Sequence, residues 1–128
     1  MARKSGYTVC VRSGFSAAHS LRGYSGDCER VHGHNWSVEV AVACDELDEL
    51  GMGIDFRELK RALGEVLERL DHENLNDLPE FSQLNPSSEN IARYIFTELA
   101  AVINGRGRRV ARVRVGETET AFVEYSED

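Results

Sequence analysis

Three of the four histidines in the chain, His19, His32 and His34, fall in one short region with the spacing of a metal site. His32 and His34 are two residues apart, so on an extended segment both imidazoles project from the same side. Gly33 between them is read as leaving room for a metal or substrate to approach the backbone. His19 lies on the preceding strand or at its exit, where a hairpin would bring it opposite the pair. Three neutral imidazoles without an obvious fourth protein ligand are the arrangement of a catalytic zinc (Zn2+) site, whose open position takes water or substrate.

Other residues could handle protons. Cys28 sits four positions before His32. A thiol beside a metal and imidazoles ionises more readily, which would make it a base or nucleophile. The same thiol could be a fourth metal ligand or a buried packing group, although its neighbours Asp27, Glu29 and Arg30 argue for a polar setting. The fourth histidine, His72, follows Asp71, and an imidazole oriented by a carboxylate is the usual design of a proton-transfer group. Glu117 stands beside Gly116 and Thr118 at a strand end and would matter only if it faced a pocket. Cys10 and Cys44 lie in strand-like stretches and read as small core residues.

The elements that must position these groups follow from periodicity. Tyr7 to Ser16 reads as a strand, and Trp36 to Ala43 alternates with Trp36, Val38, Val40 and Val42 on one face. Asp55 is a good helix N-cap with Glu58 at the capping-box position, and Phe56, Leu59, Leu63, Val66, Leu67 and Leu70 form an apolar stripe. A polar loop from Asp71 to Asn85 follows. Pro86-Ser87-Ser88-Glu89 starts a second helix, carried by Ile91, Ile95, Leu99 and Val102 until Asn104-Gly105 stops it. Val110 to Val115 and Ala121 to Tyr125 make a closing pair of strands. Hairpins with the helices grouped between them predict an α+β fold on an antiparallel sheet, with sheet edges that oligomerisation would cover.

Bulk properties narrow the classes further. The length of 128 residues predicts one domain, residues 1–128. A net charge of −7 argues against nucleic acid as a partner, because phosphate neutralisation needs a Lys/Arg-rich face. Three sparse cysteines do not form the pattern of a disulfide framework. The N-terminal Met-Ala-Arg-Lys-Ser-Gly has no apolar run, and no segment reaches the apolar length of a membrane span, so a cytoplasmic protein without a membrane partner is expected.

Taken in order, the motifs resemble the superfamily of 6-pyruvoyl-tetrahydropterin and 6-carboxy-tetrahydropterin synthases. They are Phe15-Ser16-Ala17-Ala18-His19, Cys28-Glu29-Arg30-Val31-His32-Gly33-His34-Asn35, Gly53-Ile54-Asp55-Phe56, Leu70-Asp71-His72-Glu73-Asn74-Leu75-Asn76, Asn85-Pro86-Ser87-Ser88-Glu89-Asn90 and Val115-Gly116-Glu117-Thr118. The resemblance implies zinc on His19, His32 and His34, and Cys28 as catalytic base or nucleophile in a relay with Asp71 and His72. It implies that Glu117 anchors a pterin through paired hydrogen bonds, with Ser87 and Ser88 in a turn that contacts the same ring. It further implies the tunnelling fold: a four-stranded antiparallel sheet with two helices on one face. Such sheets join into barrels as trimers stacked in pairs into homohexamers, with active sites between subunits.

The three residues between Cys28 and His32 resemble the queuosine-pathway branch. For that branch the implied reaction converts 7,8-dihydroneopterin triphosphate to 6-carboxy-5,6,7,8-tetrahydropterin, releasing acetaldehyde and triphosphate. A pyruvoyl product on the same site is the nearest alternative, and Glu29 keeps a dihydroneopterin aldolase-type cleavage open. A non-catalytic zinc-binding assembly module is the alternative of another class. Arg22 and Lys60 are candidates for the triphosphate.

Overall fold

A computed structural model of the chain describes residues 6–24 and 30–128. Its elements, in chain order, are β1 (Tyr7–His19), β2 (His32–Cys44), α1 (Phe56–Glu68), β3 (Glu73–Asn74), α2 (Ser88–Ile103), β4 (Arg108–Gly116) and β5 (Phe122–Ser126). The sheet order is β3-β1-β2-β4-β5. Its long pairs are antiparallel, whereas β3 runs parallel to Ala17 and Ala18 of β1. The expected four-stranded antiparallel sheet is therefore five-stranded and mixed. The fifth strand is only two polar residues long, so it carries no periodic signal. It exists because the chain leaving α1 is drawn onto the β1 edge, where the His72 N–H donates to the Ser16 carbonyl at 2.6 Å.

Alternation decides which face of the sheet is dry. Val11, Phe15 and Ala17 of β1, Trp36, Val38, Val40 and Val42 of β2, and Val110, Val113 and Val115 of β4 are all buried. One core cluster joins them to the apolar faces of the helices, with α1 over β1 and α2 over β4 and β5. A register shift between Ala41 and Val42 accommodates an extra β4 residue, a bulge that keeps Val110 as well as Val113 on the core face.

Both helices start where their caps predict. The Asp55 carboxylate accepts the Arg57 N–H at 2.8 Å, and the Ser87 hydroxyl accepts the Asn90 N–H at 3.2 Å. Glu58 does not close a capping box, because Arg108 takes its carboxylate at 2.8 Å. Phe56 and Val102 fall off the buried stripes and are exposed, whereas Ile103 completes the α2 stripe after Leu99. The 71–85 segment, read as a polar loop, contains two short 3-10 turns, Leu75–Asp77 and Pro79–Phe81, that bury Leu75 and Phe81. Cys44 is buried as expected, but Cys10 points to the face of β1 away from the helices and is exposed. Among the described residues, no helix is long and apolar enough to cross a membrane.

Candidate active site

The β1–β2 register brings the histidines together. His19 pairs with His32 across the ladder, and His34 pairs with Ala17. The imidazole centroids are 4.5 Å apart for His19 and His32, 4.9 Å for His32 and His34, and 5.3 Å for His19 and His34. One potential ligand nitrogen from each ring lies within 4.8 Å of the others, close enough for a single metal ion. Trp36 forms the wall behind them, edge-on to His19 at 4.9 Å and to His34 at 5.1 Å. That indole is itself stacked on Phe15 and donates its N–H to the Ala17 carbonyl at 3.2 Å.

Backbone carbonyls set the ring orientation. His19 Nδ1 donates to the Pro86 carbonyl at 2.7 Å, and His32 Nδ1 donates to the Arg30 carbonyl at the same distance. Each bond fixes the proton on Nδ1 and leaves Nε2 with a lone pair, the usual support for a metal-binding imidazole. Burial holds the His19 pKa below its ordinary value against the opposing pull of the Pro86 carbonyl, which favours the neutral, ligating form. Nε2 of His19 and of His34 are buried and have no hydrogen-bond partner among the described residues. An unsatisfied buried polar atom costs about 1–3 kcal/mol, and a cation would satisfy both at once. The donor set therefore fits a metal.

Glu117 faces this cluster. Its carboxylate oxygens are 3.9 Å from His19 Nε2 and 3.6 Å from His34 Nε2, and Ser88 Oγ donates to it at 3.4 Å. Gly116 makes the turn possible, since a Cβ there would stand 2.6 Å from Ser37 Oγ and 2.9 Å from the Thr118 carbonyl. Ser88 thus reaches the site, whereas Ser87 is occupied as the α2 cap. Gly33 projects from the side of β2 opposite the histidines. It lines an open groove of about 270 Å³ with Ser16, Ala17, His34 and Asn35, so the space beside it is shared with one of the three histidines.

Asp71 and His72 form a pair at the β1 edge. Asp71 accepts the Ser16 N–H at 2.9 Å, and its other oxygen is 2.9 Å from His72 Nδ1. The Ser16 N–H, with a further contribution from the His72 ring, holds the Asp71 carboxyl below the usual carboxylate range. His72 has φ of 60°, in the left-handed region, and its side chain is 82% exposed. Among the described residues, no hydrogen bond joins this pair to the histidine cluster. Cys28 and Glu29 lie outside the described residues.

Sequence reasoning missed the supports of the site. The Pro86 and Arg30 carbonyls carry no side-chain signal, and Trp36 was legible only as a core residue. Arg22, a candidate for the triphosphate, donates from its guanidinium to the Asn76, Phe81 and Leu84 carbonyls.

An α+β sheet bearing a three-histidine site, with a carboxylate held against it, defines the class. Residues 8–128 match the 6-pyruvoyl tetrahydropterin synthase family, and the chain belongs to that family. A putative 6-carboxy-5,6,7,8-tetrahydropterin synthase of Archaeoglobus fulgidus is 44% identical over 116 residues, covering 91% of this chain and 92% of its own. The 6-carboxy-5,6,7,8-tetrahydropterin synthase of Bacillus subtilis is 37% identical over 117 residues, covering 86% of this chain and 78% of its own. In three dimensions the Caenorhabditis elegans 6-pyruvoyl tetrahydropterin synthase superposes over 100% of both chains with a TM-score of 0.85 at 31% identity. The fold is the tunnelling fold of these synthases.

Proposed function

We propose that the chain is a zinc-dependent carbon–carbon lyase of the 6-carboxy-5,6,7,8-tetrahydropterin synthase type. It takes 7,8-dihydroneopterin triphosphate and water to 6-carboxy-5,6,7,8-tetrahydropterin, acetaldehyde and triphosphate, a step toward 7-deazaguanine nucleosides such as queuosine, in the cytoplasm. The observation that carries the reading is the pair of buried, unpartnered imidazole nitrogens on His19 and His34, opposite the Glu117 carboxylate. The names of the Archaeoglobus and Bacillus relatives point to the carboxy product.

His19, His32 and His34 would hold the ion, with Nδ1 of His19 and His32 already given to backbone carbonyls. Zinc there supplies Lewis acidity toward the oxygens of the substrate side chain. Glu117 accepts paired hydrogen bonds from the pterin amide and amino group, as a carboxylate does from a guanidinium. Ser88 steadies that carboxylate from the α2 N-terminus, and Ser87 contributes through the cap that sets the turn. The Asp71 carboxylate keeps the His72 proton on Nδ1, so that His72 Nε2 can take and return a proton. Cys28 is the second proton-handling group in this scheme.

Among the described residues, the Asp71–His72 pair has no hydrogen bond to its own histidine cluster. That supports a site completed by a neighbouring subunit, in trimers whose sheets close into a barrel and stack as hexamers. The test is metal dependence. Chelator-treated protein is expected to lose turnover of dihydroneopterin triphosphate and to regain it with one zinc per chain. Undiminished turnover without metal would contradict the proposal, and zinc binding with no turnover at all would favour the non-catalytic module.

A further inference from the structure

The segment that leaves the site after His19 is held in an unusual way. Among the described residues no strand lies beside Ser20 and Arg22, yet the backbone N–H and C=O of each are both paired. The Asn76 side chain accepts the Ser20 N–H at 2.8 Å and donates to the Ser20 carbonyl at 3.0 Å. Two residues on, the Asn85 side chain accepts the Arg22 N–H at 2.9 Å and donates to the Arg22 carbonyl at 3.0 Å. Two asparagine amides therefore stand in for a missing β partner at alternate residues, each using one acceptor and one donor.

The Arg22 side chain closes the arrangement from the other direction. Its guanidinium donates to the Phe81 carbonyl at 2.9 Å and to the Asn76 and Leu84 carbonyls at 3.2 Å each. Asn90, in the first turn of α2, donates to the Asn85 carbonyl at 2.8 Å. Pro86 comes next in the chain, and its carbonyl is the acceptor for His19 Nδ1. The contacts form a ring in space: His19, Ser20 to Arg22, Asn85, Pro86 and back to His19. The Pro86 carbonyl stands between Asn85, held by these contacts, and Ser87, held as the α2 cap, and the ring fixes φ of Pro86, so a shift of Asn85 moves that carbonyl.

We propose that Arg22, Asn76 and Asn85 are positioning residues for His19, and that this clamp, by aiming the Pro86 carbonyl, sets the metal affinity of the site. The inference rests on the proposed three-histidine metal site and adds what determines its strength. Arg22 here is a scaffold for a ligand and not a contact for phosphate. Loss of an outer partner of a ligating histidine weakens metal binding by about 10- to 100-fold. Asn85→Ala removes the bond pair nearest Pro86 but keeps the carbonyl itself, so it should weaken binding severalfold, with that range as its ceiling. Arg22→Lys keeps the charge but loses the planar fork that serves three carbonyls, so it should weaken binding in the same direction.

The test is zinc affinity of the full-length protein by competition with a chromophoric chelator. It is paired with ¹⁵N NMR of the metal-free protein, in which His19 Nδ1–H is expected as a slowly exchanging imidazole proton. Both variants should bind zinc more weakly, and that proton should exchange faster in each. The cobalt(II)-substituted variants should also show altered visible bands. Ile103→Ala is the control for general loss of stability. Ile103 is buried at the opposite end of α2, a helix of 16 residues, roughly 24 Å long at 1.5 Å per residue. It should lower Tm and leave zinc affinity unchanged. Affinity equal to wild type in both clamp variants, or an equal loss in Ile103→Ala, would overturn the clamp. If Asn85→Ala does not fold, Arg22→Lys against Ile103→Ala decides. Failure of the unaltered protein to bind zinc would instead overturn the metal site, and this inference with it.

Discussion

Replacing Asp71 by asparagine changes one atom type and leaves the shape of the side chain intact. In the wild type one carboxylate oxygen accepts the Ser16 N–H at 2.9 Å and the other accepts from His72 Nδ1 at 2.9 Å. An asparagine that keeps its carbonyl on Ser16 must turn its amide NH2 toward His72. Nδ1 then has to accept a hydrogen bond, the ring proton moves to Nε2, and the nitrogen proposed to take a proton is already protonated. A positioned acid–base group contributes about 10²- to 10⁴-fold, so kcat should fall within that range. KM and zinc content should hold, because among the described residues the pair has no hydrogen bond to the histidine cluster or to Glu117. The pH dependence has a definite sign. The Asp71 pKa is depressed below its ordinary value of 3.8, so the carboxylate is present above that value and lost only as pH falls through the lower folded one. Loss of the Asp71 charge therefore does not show above its ordinary value, and Asp71→Asn should lower the profile across the neutral range. The assay is steady-state turnover of dihydroneopterin triphosphate across the pH range, with metal analysis of the same samples. A variant within about threefold of wild type at every pH would refute the role of the pair.

Further outcomes follow from other contacts. Glu117→Gln should keep stoichiometric zinc and raise KM by about 10- to 100-fold, the effect of one charged hydrogen bond; loss of zinc would make Glu117 a ligand and not an anchor. Trp36→Ala removes the wall behind His19 and His34 and should cost about 3–5 kcal/mol in denaturant unfolding, with weaker zinc binding; retention of wild-type affinity would sink the wall argument. Glu39 sits between Arg112 at 2.7 Å and Arg12 at 2.6 Å, and these partners, Arg112 foremost, hold its carboxyl below the ordinary value. Its stabilisation is present above that value and disappears as pH falls through the depressed one. Glu39→Gln should therefore cost about 1–3 kcal/mol at neutral pH, most of it from Arg112 because Arg12 is exposed, and the two stabilities should converge in acid. Parallel stability curves down to the lowest pH would contradict the assignment.

Much of this arrangement is legible in the sequence because it is local. The alternation of Trp36, Val38, Val40 and Val42 predicts the buried face of β2, and His32 and His34 share that parity. A hairpin then leaves His19 nowhere to go but opposite them. Asp55 and Ser87 announce the helix starts because N-caps are read within one turn. What is not legible is made by contacts between distant segments. Nothing in Glu73-Asn74 says that it adds a parallel strand to the β1 edge. Nothing in Arg22 says that its guanidinium donates to three carbonyls more than fifty residues away. Leu75 and Phe81 sit in a stretch with too many polar residues to show a period, yet the 3-10 turns bury both. Cys10 shows the limit of residue type as a guide: its chemistry suits a core, but its place in the β1 alternation sends it outward.

The central claim is the reaction, and the products test it most directly. Zinc-loaded protein incubated with 7,8-dihydroneopterin triphosphate, followed by mass spectrometry and an acetaldehyde assay, should yield 6-carboxy-5,6,7,8-tetrahydropterin and acetaldehyde in equal amounts. A 6-pyruvoyl product formed without acetaldehyde would contradict it.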